Sequence, residues 1–158
     1  MPRSTTSFLF PDINVWVALT YERHVHHVTA RDWFEALDQD SRLSFCRFTQ
    51  LGLLRLLTSE AVMGDEVMNQ QEAWGAYDRW LRDERVAFMD EPSGLEGRFR
   101  TLTRLRQAAT KDWADSYLAA FAGEAQLTLV TFDRALRTKA KPLVLLAGLR
   151  PSEGLGPL

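Results

Sequence analysis

Three aspartates stand where a chain could put a carboxylate to chemical use: Asp12 in "FLFPDINVWVAL", Asp115 in "KDWADSYLAAFA" and Asp133 after "LTLVTF". Asp12 and Asp133 each follow a short apolar run, and Pro11 helps to end the first of these as a strand. Asp112 lies three residues before Asp115, so the two share a face if both are helical; if Asp112 precedes the helix, it is a cap. Should Asp12, Asp115 and Asp133 converge, each pair about 4 Å apart repels by about 4 kcal/mol at an effective dielectric of about 20. Such a cluster must take up protons or hold a cation. Oxygen-only donors suit Mg²⁺ or Mn²⁺ rather than Zn²⁺. A Mg²⁺ ion held by a few carboxylates, with waters retained, serves chemistry on phosphates. Each aspartate alone has a plainer reading as a helix cap: Asp133 for "RALR", Asp112 for the helix carrying Asp115. The joint pattern, not any single residue, points to a site.

The elements around these residues explain how they could meet. Short continuously apolar runs at 7–10, 43–46, 85–89, 127–132 and 143–146 read as strands. Between them, helical spacing runs over 14–22, capped by Asp12 or Asn14, then over 26–40, 49–59 with Thr49 as cap, 70–83, 95–109 and 114–125. Alternating strands and helices predict an α/β fold in three layers, a central parallel sheet of 4–5 short strands flanked by helices. In such sheets ligands sit beyond the carboxyl ends of the strands. Asp12 and Asp133 should therefore share one sheet edge. Ala119, Ala120 and Ala122 keep their helix thin, which lets it approach the sheet and hold Asp115 near them.

The 158 residues fit one domain, 1–158, with an irregular tail from about 150. A formal net charge of −2 gives no global nucleic-acid signal, so any RNA contact must use local arginines. Cys46, the single cysteine, allows no intramolecular disulfide and suits a reducing compartment. "MPRSTTSFLF" is too short in apolar residues for a secretion signal, and no run approaches a membrane span. A cytoplasmic protein without membrane contact is expected.

"PDINVWVAL", "DSYLAAFA" and "LVTFD", in that order, resemble the PIN-domain ribonucleases, specifically the VapC-type toxins of toxin–antitoxin pairs. "HVHHVTARDWFEAL" and "LGLLRLLT" extend the likeness over nearly the whole chain. The resemblance implies a PIN fold and a Mg²⁺- or Mn²⁺-dependent endoribonuclease, dimeric and held inactive by a small cognate antitoxin. It assigns Asp12, Asp115 and Asp133 as catalytic and metal-binding acids, supported by Asn14 two residues after the first acid and by Thr131 before the last. One departure stands out. Where many PIN domains carry Glu in the helix after the second strand, this chain has Gln50, which brings an oxygen but no charge. Asp112 could replace the missing carboxylate, one metal could suffice, or activity could be weak; Glu60 is too far along to substitute.

Other residues carry weaker signals. Arg98, Arg100, Arg104 and Arg106 make the 95–109 helix basic, either a solvated face or the place where RNA phosphates bind. Arg55 and Arg134 are second choices. His24, His26 and His27 read as a solvated helix start; Trp33, Trp74 and Trp80 as core or dimer contacts. Trp16 and Trp113 flank the acids, where a base could stack, although core packing is the plainer reading. A catalytically silent PIN-like module that binds RNA or protein is the rival function, prompted by Gln50. A phosphotransferase of the haloacid-dehalogenase kind needs a second Asp where Asn14 stands.

Overall fold

Within residues 6–147, which the computed structural model describes, five short strands lie parallel in the order β3-β2-β1-β4-β5. They are β1 (Phe8–Pro11), β2 (Arg42–Phe45), β3 (Val86–Phe88), β4 (Thr128–Thr131) and β5 (Leu143–Leu145). Leu9 of the central strand pairs with Leu43 on one side and Thr128 on the other. Residues 1–5 and the tail expected to be irregular from about 150 lie outside the described residues.

Seven α-helices complete the layers: α1 (Ile13–Thr20), α2 (His27–Glu35), α3 (Arg47–Leu57), α4 (Glu60–Met63), α5 (Gln70–Leu81), α6 (Leu95–Leu102) and α7 (Asp112–Ala125). Alternation along the strands divides the core between two faces. Leu9, Leu43, Phe45 and Val130 pack with Val15, Trp16, Leu53 and Tyr77 from α1, α3 and α5. Phe10 and Leu129 face the other way, onto Leu118 and Phe121 of α7, and Phe10 stacks on Phe121 at 4.8 Å. Both faces are covered, which is why the strands read as unbroken apolar runs.

Several helix boundaries differ from those the sequence predicts; α7, for one, starts at Asp112 rather than at 114. α3 starts at Arg47 rather than at Thr49, because Cys46 is the N-cap and Thr49 works from inside the helix, its hydroxyl accepting the Cys46 N–H at 2.9 Å. The basic helix stops at Leu102 instead of running to 109. Thr103 ends it, with its hydroxyl donating to the Phe99 carbonyl at 2.8 Å, a local bond that competes with helix continuation. α2 closes at Glu35, where the expected helix ran to 40. The short α4 has no counterpart in the sequence reading.

One glycine is required by a close approach. A Cβ at Gly52 would collide with the side chain of Ile13, so the bare α-carbon lets α3 lie directly against the start of α1. That contact sits one residue from Asp12. No helix among the described residues is long and apolar enough to cross a membrane.

Candidate active site

The chain lays β1, β2 and β3 to one side of the sheet and β4, β5 to the other, so the strand order reverses between β1 and β4. After β1 it enters α1 on one face; after β4 it enters a 3-10 helix, Arg134–Thr138, whose Leu136 is buried on the opposite face. Diverging connections leave a crevice at the carboxyl end of the strands. Asp12 is the first residue beyond β1, and Asp133 the second beyond β4.

Asp12 is buried, only 8% exposed. Its Oδ1 accepts the Ile13 N–H at 2.7 Å, so it is the α1 cap, and its Oδ2 accepts the Thr131 hydroxyl at 2.8 Å. The Thr131 hydroxyl also accepts the Asp133 N–H at 3.0 Å. One hydroxyl thus orders both strand-end acids. Asp133, exposed, caps the 3-10 helix by accepting the Ala135 N–H at 2.9 Å. For Asp12 and Asp133 the plain reading as a cap is therefore correct, and capping is what fixes their orientation.

Asp115 sits in the first turn of α7, half-buried. The three acids share one electrostatic neighbourhood. Burial raises the Asp12 carboxyl above its ordinary pKa, the bonds from Thr131 and Ile13 oppose this, and the charges of Asp115 and Asp133 add to the rise. Burial also raises Asp115, reinforced by Asp133 and opposed by the Lys139 ammonium. Among the described residues, no three His, Cys, Asp or Glu side chains are close enough to wrap one ion by themselves.

The supporting residues divide. Asn14 lies in the first turn of α1, and its Oδ1 is buried without a hydrogen-bond partner. Gln50 is buried at 6% exposure, its Oε1 accepting from Arg47 at 2.6 Å, while the Arg47 guanidinium lies over Phe88. Asp112 is the first residue of α7 and makes no capping bond; Lys111 is the N-cap. Instead Asp112 pairs with Lys139, whose Nζ also donates to Ser116 Oγ at 2.9 Å. Lys139 and Ser116 gave no sequence signal, since the pairing joins α7 to the residue that ends the 3-10 helix after β4.

The arginines do not form one helix face. Arg98 pairs with Glu124 at 2.9 Å and Arg100 with Glu96 at 3.1 Å, whereas Arg104 and Arg106 fall beyond α6. Trp16 is fully buried and stacks on Phe45 at 3.9 Å, so it is core. Trp113 is 59% exposed. His24, His26 and His27 are half-buried rather than solvated: His27 Nδ1 meets the Ala18 carbonyl at 2.7 Å, and the His26 ring stacks on Phe132, between Thr131 and Asp133.

Comparison with known proteins agrees with this architecture. The model of the PIN domain family matches residues 9–142. Ribonuclease VapC41 of Mycobacterium tuberculosis is 41% identical over 131 residues, covering 80% of this chain and 90% of its own. Ribonuclease VapC38 of the same organism is 28% identical over 138 residues, covering 82% and 88%. Among solved structures, VapBC2 of Rickettsia felis, bound to a DNA fragment from its promoter, superposes with a TM-score of 0.63. It is 14% identical and covers 89% of this chain and 97% of its own. VapC20 of M. tuberculosis, a toxin that cleaves the sarcin–ricin loop, gives 0.61 at 16% identity, covering 82% and 93%. At those identities the two structures speak for the fold, while the family match and the 41% identity carry descent: the chain belongs to the PIN-domain family, on its VapC-type branch.

Proposed function

We infer that this chain is an endoribonuclease, the toxin half of a toxin–antitoxin pair, and that it hydrolyses RNA phosphodiester bonds at the edge where Asp12, Asp115 and Asp133 meet. One observation carries the assignment of the site. Burial and the charges of Asp115 and Asp133 raise the proton affinity of Asp12 at the sheet's reversal point, and a single threonine hydroxyl bonds both the Asp12 carboxylate and the Asp133 N–H.

The donor set fits a hard divalent cation, Mg²⁺ or Mn²⁺. It is oxygen-only, it concentrates negative charge, and it leaves the buried Asn14 Oδ1 without a partner. Mg²⁺ keeps several of its waters, so a site for it needs only a few protein oxygens. Asp12, Asp115 and Asp133 would hold it, with Asn14 supporting. When bound, such an ion polarises a phosphoryl oxygen and offsets the charge that builds there. The chain's own residues do the rest. Asp12, fixed on both oxygens, cannot swing away. Asp115, half-exposed, would accept a proton from an attacking water. Lys139 neutralises Asp112, so the charge facing the phosphate comes from three acids rather than four. Gln50, already engaged by Arg47, is a supporting residue.

RNA is the substrate of this reading, and a small cognate antitoxin the partner, as in the VapBC assembly of the Rickettsia felis neighbour. A homodimer, a cytoplasmic setting and a single domain belong to the same proposal. Exposed Leu51 and Trp74, which line a groove between α3 and α5, offer an apolar face for a second copy. Incubating a mixed pool of ribosomal and transfer RNA with the purified chain tests the activity. Defined fragments should appear with Mn²⁺ or Mg²⁺ and disappear with EDTA. Intact RNA under every metal condition would leave only an RNA- or protein-binding module.

A further inference from the structure

A groove of about 540 Å³ lies between α6 and the start of α7, lined by Glu96, Phe99, Arg100, Thr103, Arg104 and Trp113. Trp113 lies in the first turn of α7, the turn that also carries Asp112 and Asp115, with its ring against Phe99 of α6. Its indole is 59% exposed, and Phe99 meets it edge-on with ring centroids 6.0 Å apart. Phe99 in turn meets Tyr117 edge-on, also with centroids 6.0 Å apart. Two arginines share the space. Among the described residues Arg100 is tied only to Glu96, in a pair whose side chains are 75% and 76% exposed. An ion pair so open to solvent is readily exchanged for another anion. Arg104 carries no ion pair among the described residues.

We propose that this groove is a subsite for one unpaired nucleotide of the RNA substrate, its base stacked on Trp113 and its phosphate held by Arg100 and Arg104. The proposal rests on the reading of the chain as a ribonuclease. Three features favour a nucleotide over a peptide. A flat aromatic surface accepts any base. Guanidinium groups match phosphate oxygens in a planar, two-pronged fashion. In a chain of net charge −2, two arginines beside an exposed tryptophan form a local cationic patch complementary to a polyanion. The fit requires a splayed base, so duplex RNA is excluded from the groove.

The test uses the full chain in EDTA, which suspends cleavage, and a labelled six-nucleotide oligouridylate read by fluorescence anisotropy. A matched series carries one abasic position in turn. In the wild type, one abasic position should weaken binding by about 5- to 150-fold, the range expected for one base on an aromatic ring. Trp113→Ala should weaken the intact oligonucleotide to the same degree and then respond to no abasic position, while Trp113→Phe keeps most of the affinity. Arg100→Gln with Arg104→Gln should weaken every oligonucleotide alike and flatten the salt dependence. Trp113 is exposed, so these variants leave the core untouched. If Trp113→Ala binds the intact oligonucleotide as the wild type does, or if the wild-type series is flat while RNA cleavage is normal, the subsite is overturned and the ribonuclease reading stands. If the wild type binds no oligonucleotide and cleaves no RNA, both are overturned together.

Discussion

Thr131 and Asp12, 119 positions apart, are joined by a 2.8 Å hydrogen bond from the threonine hydroxyl to Oδ2. Because the same hydroxyl accepts the Asp133 N–H, the end of β4 sets the acid at the end of β1 as well as its own. Thr131→Val keeps the shape and strands both partners. The expected result is a 10- to 100-fold loss (roughly) in metal affinity or activity, the usual effect of removing a group that orients a ligand. Thr131→Ser should restore it. Mn²⁺ titration of RNA cleavage checks this, and an unchanged metal requirement in the valine variant would mean the bond orients nothing that matters.

Burial first, then neighbouring charge, raises the proton affinity of Asp12 and Asp115 in the folded state. The folded protein therefore binds these protons more tightly than the unfolded chain does. Their contribution to stability falls as pH rises from the ordinary carboxylate range through the raised folded values, and the penalty is complete above them. Asp83, held low by Arg85, acts in the opposite sense, so the comparison must be a difference. In EDTA, the melting temperature of Asp12→Asn minus that of the wild type should grow as the pH is raised to neutrality. Saturating Mg²⁺ should close that gap by stabilising the wild type alone. A difference independent of pH would count against a raised Asp12.

Lys139 neutralises Asp112 and steadies Ser116 beside the acids. Lys139→Met leaves a mostly buried carboxylate unpaired and should cost about 1–3 kcal/mol in metal-free protein. The double variant with Asp112→Asn should recover most of that loss, and denaturant melts of the four proteins give the coupling. Additive losses would show that the two side chains act independently.

Gly52 admits Ile13, the residue that follows Asp12 and donates its N–H to that carboxylate. Gly52→Ala should destabilise by about 1–3 kcal/mol through overpacking. It should also lower activity, because relief of the clash shifts Ile13. A thermal melt and a cleavage assay on the same preparation check both effects, and Ile13→Val in the same chain should return part of each.

How far the sequence carries a reader depends on whether the signal is local. Asp12 and Asp133 were legible because an apolar run that ends in a carboxylate is a strand handing over to a cap, and both act as caps in the structure. The parallel sheet followed from strands apolar on both faces. Asp112 was not legible, since its partner Lys139 comes from beyond β4 and only the tertiary fold joins them. The basic helix was overrun for a different reason. The charge pattern continues through Arg104 and Arg106, but Thr103 turns its hydroxyl back onto Phe99 and ends the helix. Cys46 concealed the start of α3, because cysteine is not among the residues that announce a cap. The placement of β5 beside β4 likewise had no local cue.

Asp115→Asn separates one metal-dependent site built from Asp12, Asp115 and Asp133 from three unrelated acids, because Asp115 caps nothing and its loss leaves the strand ends intact. Single-turnover RNA cleavage should be followed across a Mn²⁺ titration for this variant and the wild type, with a thermal melt of each in Mn²⁺ and in EDTA. The account predicts a folded variant whose cleavage falls by about 100-fold or more, as for loss of a principal electrostatic group, and whose melting temperature responds less to Mn²⁺ than the wild type's. Wild-type cleavage with an unchanged Mn²⁺ requirement in Asp115→Asn would contradict it.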